Sequence, residues 1–300
     1  MRGTQSLVGQ MGWVISRPLL TFIEVAWRWI FGIPFLAICW MQVQTILAAV
    51  PPESAGILSI DPQNPWVAAT QLAHASALYQ PHVLAVLRWL APAAALVWVI
   101  VSGLGRSILL LRLDADLGKR IPFRPLSMIA LQAVWLIAFG VTCWGWFRSV
   151  EWVAGTHISS VGEPDLIGFS IWLIFLSLAI FTAWALVSWP VSIAPLLLVL
   201  EDHSAVASLV QSLRLGRAFT GKLVEINLVM GIVKLALIVL AMVFSAAPLP
   251  FSDQLGGDAL HVVWGASLVF YLVANDYFQV VQLKGFVEFW RMFRGGRSAS

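Results

Sequence analysis

Charge is what this sequence has least of. Only 11% of its 300 residues are Asp, Glu, Lys or Arg, against about 25% in a soluble globular domain. So few charges cannot coat a water-soluble fold of this length, and 60% apolar content with a mean hydropathy of +0.86 calls for lipid as the solvent. Cysteine is nearly missing as well. Cys39 and Cys143 both fall inside apolar runs, which argues against a disulfide scaffold or a C-x-x-C metal site and leaves two buried, inert thiols. Tyrosine is scarce at 3 residues beside 16 Trp and 17 Phe, a balance suited to aromatic belts at a membrane interface.

Motifs for chemistry are lacking too. The sequence has no G-x-x-x-x-G-K-[ST] loop, no G-x-G-x-x-G and no H-E-x-x-H helix. His74, His82, His157 and His261 fall on one side of the membrane, but none is spaced from another at i, i+3 or i, i+4 as a ligand pair would be. The expectation is a protein that is not an enzyme, with no cofactor, no metal and no nucleic-acid partner.

What is there is apolar length. A hydrocarbon core of about 30 Å is crossed by about 20 helical residues. Six runs meet that length: Ile30 to Val50, Leu90 to Leu111, Leu126 to Trp146, Leu166 to Leu200, Leu223 to Phe244 and Leu260 to Leu283. The fourth is too long for one straight crossing, since its 35 residues would reach about 52 Å, and Pro190 and Pro195 predict a kink or break near its end. The fold expected is an all-α, six-span membrane bundle forming a single domain over residues 1–300. Residues 1–31 form an N-terminal interfacial helix, 30–283 the bundle and 284–300 a basic tail. The interrupted first run, broken by Glu24 and Arg28, does not resemble a cleaved signal peptide.

Charge placement orients the bundle. Arg2, Arg17, Arg28, Arg106, Arg112, Lys119, Arg120, Arg124, Arg214, Arg217, Lys222, Lys284, Arg291, Arg294 and Arg297 gather on one side, while Arg88 and Arg148 mark the other. The opposite loops are acidic, with Glu53, Asp61, Glu151, Glu163, Asp165, Asp253 and Asp258. The positive-inside rule then predicts a cell inner-membrane protein with both termini in the cytoplasm.

Three segments read as interfacial. Ser16-Arg17-Pro18 opens a helix through Phe31 with a cap and an early proline, and Gly32 and Pro34 predict a break before the first span. Trp66 to Tyr79, after the Asp61-Pro62-Gln63-Asn64-Pro65 turn, suits a short amphipathic helix outside. The third is a cytoplasmic helix from Ser204 to Leu215, flanked by Glu201 and ending at Arg214 and Gly216. Val206, Leu209, Val210 and Leu213 share one helical face, predicted to meet lipid or protein, and Ser208, Gln211 and Ser212 the other, predicted to meet water. Gly103-Leu-Gly105 in the second span predicts close helix packing.

The run Pro195-Leu-Leu-Leu-Val-Leu-Glu201, followed by Ser204-Ala205, Leu209, Ser212 and Arg214-Leu215, resembles a bacterial membrane-domain family. Its members occur alone or fused to glycerophosphodiester phosphodiesterase domains. Ser208 stands where that family often has Ala, and Leu213 where Trp is usual. The resemblance implies a six-helix membrane domain and carries no catalytic residues; spans and short loops use all 300 residues, with none left for the fused hydrolase.

Ionisable groups inside spans are expensive in lipid and are the candidates for function. Lys234 in the fifth run and Asp276 in the sixth sit at similar depths, which predicts an ion pair extended by Asn227, Gln279 and Gln282 into a polar seam. A transport path normally gathers several such groups at a midplane cavity, so the seam reads first as structural. The function expected is an inner-membrane scaffold or accessory protein that organises membrane lipids or partner membrane proteins. The alternative is a transporter of a small solute or lipid that uses the seam around Lys234 and Asp276.

Overall fold

Long apolar stretches without water leave the backbone one local way to satisfy its N–H and C=O groups, the α-helix. A computed structural model of the protein describes residues 3–57, 65–115, 124–158, 165–214, 216–246 and 252–297, and among them no strand occurs. Among the described residues the α-helices follow in order: α1 Gly3–Ile15, α2 Pro18–Ala49, α3 Pro65–Ala115, α4 Pro125–His157, α5 Leu166–Glu201, α6 Ala205–Arg214, α7 Gly216–Ala246 and α8 Ser252–Arg297. Six helices are long and apolar enough to cross a membrane, lying within α2, α3, α4, α5, α7 and α8. This is an all-α, multi-pass membrane fold. The Asp61–Asn64 turn, Lys119, Arg120, Glu163 and Leu215 lie outside the described residues, as do the side chains of Arg217, Lys222, Asn227, Asp253, Asp258, Arg294 and Arg297.

The helices outrun the apolar runs that predict them. α2 begins at Pro18, where proline's missing N–H costs nothing, but it continues unbroken through Gly32 and Pro34. The outer helix expected from Trp66 to Tyr79 is fused with the second span into one 51-residue α3 that contains Pro81 and Pro92. A proline removes one hydrogen bond of many, and neighbouring turns carry a long helix through it. α5 likewise runs as one helix through Pro190 and Pro195 to Glu201; the sharp break comes after it. The basic tail is helical as far as Arg297, with Val287 and Trp290 buried.

The chain divides into two compact units, Met1–Ala26 with Gly103–Ser300, and Trp27–Ser102. Within the smaller unit the turn after α2 folds back on α3. Tyr79 Oη donates to the Val50 carbonyl at 3.0 Å, and Ala55 and Ala75 are buried. Gly56 has φ of 70°, a conformation favourable only to glycine.

In the larger unit α4 and α5 form one antiparallel pair and α7 and α8 another. Trp135 and Phe139 meet Trp184 edge-on at centroid distances of 5.7 and 5.3 Å, and further out Trp146 Nε1 donates to Ser177 Oγ at 3.0 Å. The buried core collects where the sequence collects its Lys and Arg. It joins Val14, Leu20, Leu109, Met128, Leu198 and Val280 from five helices and the end of α3. Gly103 permits the crossing of α3 and α4 there: a Cβ at that position would lie 2.6 Å from Ile129 Cγ1 and 2.8 Å from its Cα. Both glycines of the pair read from the sequence are buried, and Gly103 makes the close packing contact expected of it.

Candidate functional site

The first polar cluster lies between α7 and α8. Lys234 Nζ donates to Gln279 Oε1 at 2.7 Å and to Gln282 Oε1 at 3.4 Å. All three side chains are half-buried. Asp276 is buried one turn outward of Gln279 on the same face of α8. The structure therefore brings Lys234 to the polar face predicted for it, and its described hydrogen bonds fall on the two glutamines. An ammonium at the centre of a bilayer costs about 2.5–3.5 kcal/mol on insertion scales. A hydrogen bond to a charged group contributes about 1.5–3 kcal/mol, so the two glutamine carbonyls offset part of that cost.

The second cluster stands at the break between α5 and α6. The last stretch of α5, Pro190–Glu201, and α6 are bent by 116°. Asp202 turns the chain in the left-handed conformation, φ 58° and ψ 35°, which Asp tolerates better than most side chains. Its carboxylate pairs with Arg124 at 3.0 Å. Ser204 caps α6 by accepting from Ala207 N at 3.2 Å. Glu201, largely buried, accepts from Gln211 Nε2 at 2.8 Å and faces His203 Nε2 at 3.0 Å. Of the residues predicted for this segment, Glu201 and Ser204 make the break itself, Ser212 packs inside and Arg214 is exposed at the end of α6.

The serine face of α6, expected to meet water, is buried instead, while the apolar face stays at the surface or against the core. Ser208 and Ser212 are fully buried, whereas Val206 and Leu213 are 71% and 68% exposed. Only Leu209 of the apolar four packs toward the core, beside Ala205. The reason is volume and self-sufficiency. Ser208 Oγ donates to the Ser204 carbonyl at 2.9 Å and Ser212 Oγ to the Leu209 carbonyl at 2.7 Å. Both hydroxyls are satisfied by their own helix, and their small size lets α6 approach its neighbours closely.

A third cluster was missed in the sequence. α1 docks along α8: Gln10 Nε2 donates to Glu288 Oε2 at 3.1 Å, and Tyr277 Oη to the Met11 carbonyl at 3.0 Å. Lys284, buried, pairs with Glu288 Oε1 at 2.8 Å and lies 4.2 Å over the Trp13 ring, while Arg17 lies 4.0 Å over the same ring. Gly3–Ile15 offers no charge and three glycines, so neither propensity nor charge pattern marks it. The Trp13–Arg17 spacing was its one local signal.

On the acidic side Asp165 caps α5, accepting from Gly168 N at 2.8 Å, and its other oxygen meets His157 Nδ1 at 3.3 Å. The backbone bond from Gly168, then His157, hold the Asp165 carboxyl below its ordinary range. His74, His82 and His261 are exposed, and no group of three or more possible metal ligands occurs among the described residues. Cys39 and Cys143 are free thiols, half-buried.

Fold and clusters together define an all-α multi-pass membrane protein whose internal polar groups are concentrated at the basic ends of its helices. No protein-family model, curated protein or solved structure matches the chain.

Proposed function

We propose that the protein is an inner-membrane scaffold or accessory protein, without catalysis of its own, that organises membrane lipids or partner membrane proteins. One observation carries the reading: the most apolar stretches of α2 and α5 contain no buried residue at all. On α5, Ile167, Ile171, Ile174, Leu178 and Phe181 are all exposed. Apolar surface left to water costs about 25 cal/mol per Å², whereas acyl chains or other membrane helices cover it at no such cost. Spans whose apolar faces are not packed against the rest of the chain are left for such company. The test is purification in mild detergent followed by identification of what remains bound. Stoichiometric lipid or membrane protein is expected, and a bare, monodisperse and stable chain overturns the reading.

The orientation belongs to the same proposal and rests on the Lys and Arg asymmetry. Reporter fusions after Arg120, Thr220 and Arg297 are expected in the cytoplasm, and fusions after Ile60, His157 and Gln254 outside it. An external C-terminus overturns it. The likeness of Pro195–Leu215 to the bacterial membrane-domain family agrees with a bacterial inner membrane.

A second reading, transport of a small solute or lipid, is favoured by the broken helix pair at Glu201–Ser204. Discontinuous helices of this kind frame ion and substrate sites in transporters. Reconstituted vesicles that accumulate a solute in the wild type and not in Asp276→Asn would establish it.

A further inference from the structure

Beyond the basic-end core, α4 has two unlike faces. On one, Phe139 meets the Trp184 edge, Trp146 Nε1 donates to Ser177 Oγ, and Val153 is fully buried. Ile137, Val141, Trp144, Arg148 and Glu151 follow one another at spacings of four, three, four and three residues. Those spacings hold them on a single face, about half a turn from the first. They are from 61% to 68% exposed. Toward the acidic side the stripe therefore runs aliphatic, aliphatic, indole, cation, anion. Arg148 lies twenty residues along α4 from the buried Met128, roughly 30 Å and so about one hydrocarbon thickness. That places it at the headgroup level of the leaflet on the acidic side. The Trp152–Trp172 edge, 6.2 Å between centroids, stands one turn further out, as an interfacial belt does. Arg148 Nη1 donates to Glu151 Oε2, and neither has another polar partner among the described residues. A guanidinium carries five N–H donors and a carboxylate two oxygens, so most of the donors and one oxygen stay open.

We propose that this face of α4 binds a phospholipid with a primary ammonium headgroup, of the phosphatidylethanolamine class, in the leaflet on the acidic side. The inference rests on the lipid-organising reading above and names one headgroup chemistry for it. Such a lipid presents acyl chains first, then glycerol esters, then phosphate and, beyond the phosphate, the ammonium. The stripe offers partners in the same order. Ile137 and Val141 lie against acyl carbons, and Trp144 carries an indole N–H at the ester level. Arg148 meets the phosphate with the paired donors that suit it. Glu151 stands about 4.5 Å further out to accept from the ammonium. Ile137 to Arg148 spans about 16.5 Å, close to half the hydrocarbon thickness and so to one leaflet. An anionic headgroup without an amine puts no cation against Glu151, and a choline headgroup has no N–H to give it.

The experiment uses the full chain in mild detergent, with phosphatidylethanolamine, phosphatidylcholine or phosphatidylglycerol of matched acyl chains, read by native mass spectrometry and thermal shift. The wild type is expected to retain phosphatidylethanolamine over the other two. Arg148→Gln is expected to reduce that retention about tenfold, the equivalent of one log unit in Kd. The decisive variant exchanges the charges, Arg148→Glu with Glu151→Arg. It keeps an exposed ion pair, which contributes little to stability in either order, so folded yield and melting temperature should match the wild type. The anion now stands at the phosphate level, and phosphatidylethanolamine retention is expected to fall at least as far as in Arg148→Gln. Undiminished retention in the exchanged variant, or equal retention of the three lipids by the wild type, overturns the site. A thermal shift from soluble glycerophosphoethanolamine alone, matching that of the lipid, assigns the face to a free headgroup and overturns the lipid. Loss of a co-purifying protein, and not of lipid, from the exchanged variant gives the face to a partner helix and overturns the lipid as well. Failure of the site leaves the scaffold reading standing if other lipids or proteins still co-purify; failure of that reading shows instead as a bare wild-type chain.

Discussion

The two ends of the larger unit are built on different principles. At the basic end, α1, the first turns of α2, α4, α5, α6, α7, α8 and the last turns of α3 share one core, and polar groups such as Glu24, Gln132, Asp276 and Lys284 are buried there. Toward the acidic side the helices keep only pairwise company, with Trp–Phe and Trp–Trp edges between α4 and α5 and Trp264 Nε1 on the Ser245 carbonyl between α7 and α8. Lipid offers no hydrophobic drive for helices to associate. Where small residues and hydrogen bonds are available the helices close; where the sequence supplies only large aliphatic side chains they stay facing the solvent they match.

The sharpest break of this comparison is Gly103→Leu. The contact at Ile129 is with backbone as well as side chain, so no rotamer relieves it, and a cost above the usual 1–3 kcal/mol of overpacking is expected. Folded yield in detergent should collapse, whereas Gly140→Leu, in open space, should leave it unchanged. Ser208→Leu comes next, at about 1–3 kcal/mol, because that position is fully buried. Its counterpart Leu213→Ser should change detergent stability by less than about 0.5 kcal/mol. A reversed order of these two melting temperatures would restore the face read from sequence.

A smaller effect is expected outward. Ile174→Ala on α5 removes side-chain volume from an exposed ridge and leaves no cavity, so the melting temperature should hold while association with lipid or partner weakens. Smallest is the cap of α5. The Asp165 carboxyl is held below its ordinary range by Gly168 N and His157, so its contribution is complete above the unfolded-state carboxylate pKa of about 3.9. It is lost as pH falls through the lower folded value. Asp165→Asn should speed exchange of the Gly168 amide at pH 6 and remove the acid-dependent change seen in the wild type.

Much of this architecture was legible because it follows from period and length. The six apolar runs, the proline start of α2, the close approach at Gly103 and the turn after Glu201 each rest on a local rule. The face of α6 was not legible, since a serine that bonds its own helix is polar by name and small by volume, and volume decided. Pro34, Pro190 and Pro195 read as breaks because the rule for proline describes an isolated helix, whereas a long apolar helix has no better place for its backbone than to continue. Lys234, Gln279 and Gln282 were legible as members of one polar seam, and the structure brings them within hydrogen-bonding distance.

The docking of α1 sets an order in time. Gln10 and Glu288 stand 278 positions apart, and Tyr277 and the Met11 carbonyl 266. At about 5–20 residues per second of synthesis, the partner surface on α8 emerges roughly 15–55 seconds after α1 does. Until then the surface of α1 that meets α8 lacks that partner, and of the two cations over the Trp13 ring only Arg17 has been made. The seating of α1 on α8 thus follows the synthesis of nearly everything between them, and Lys284 over the Trp13 indole closes it.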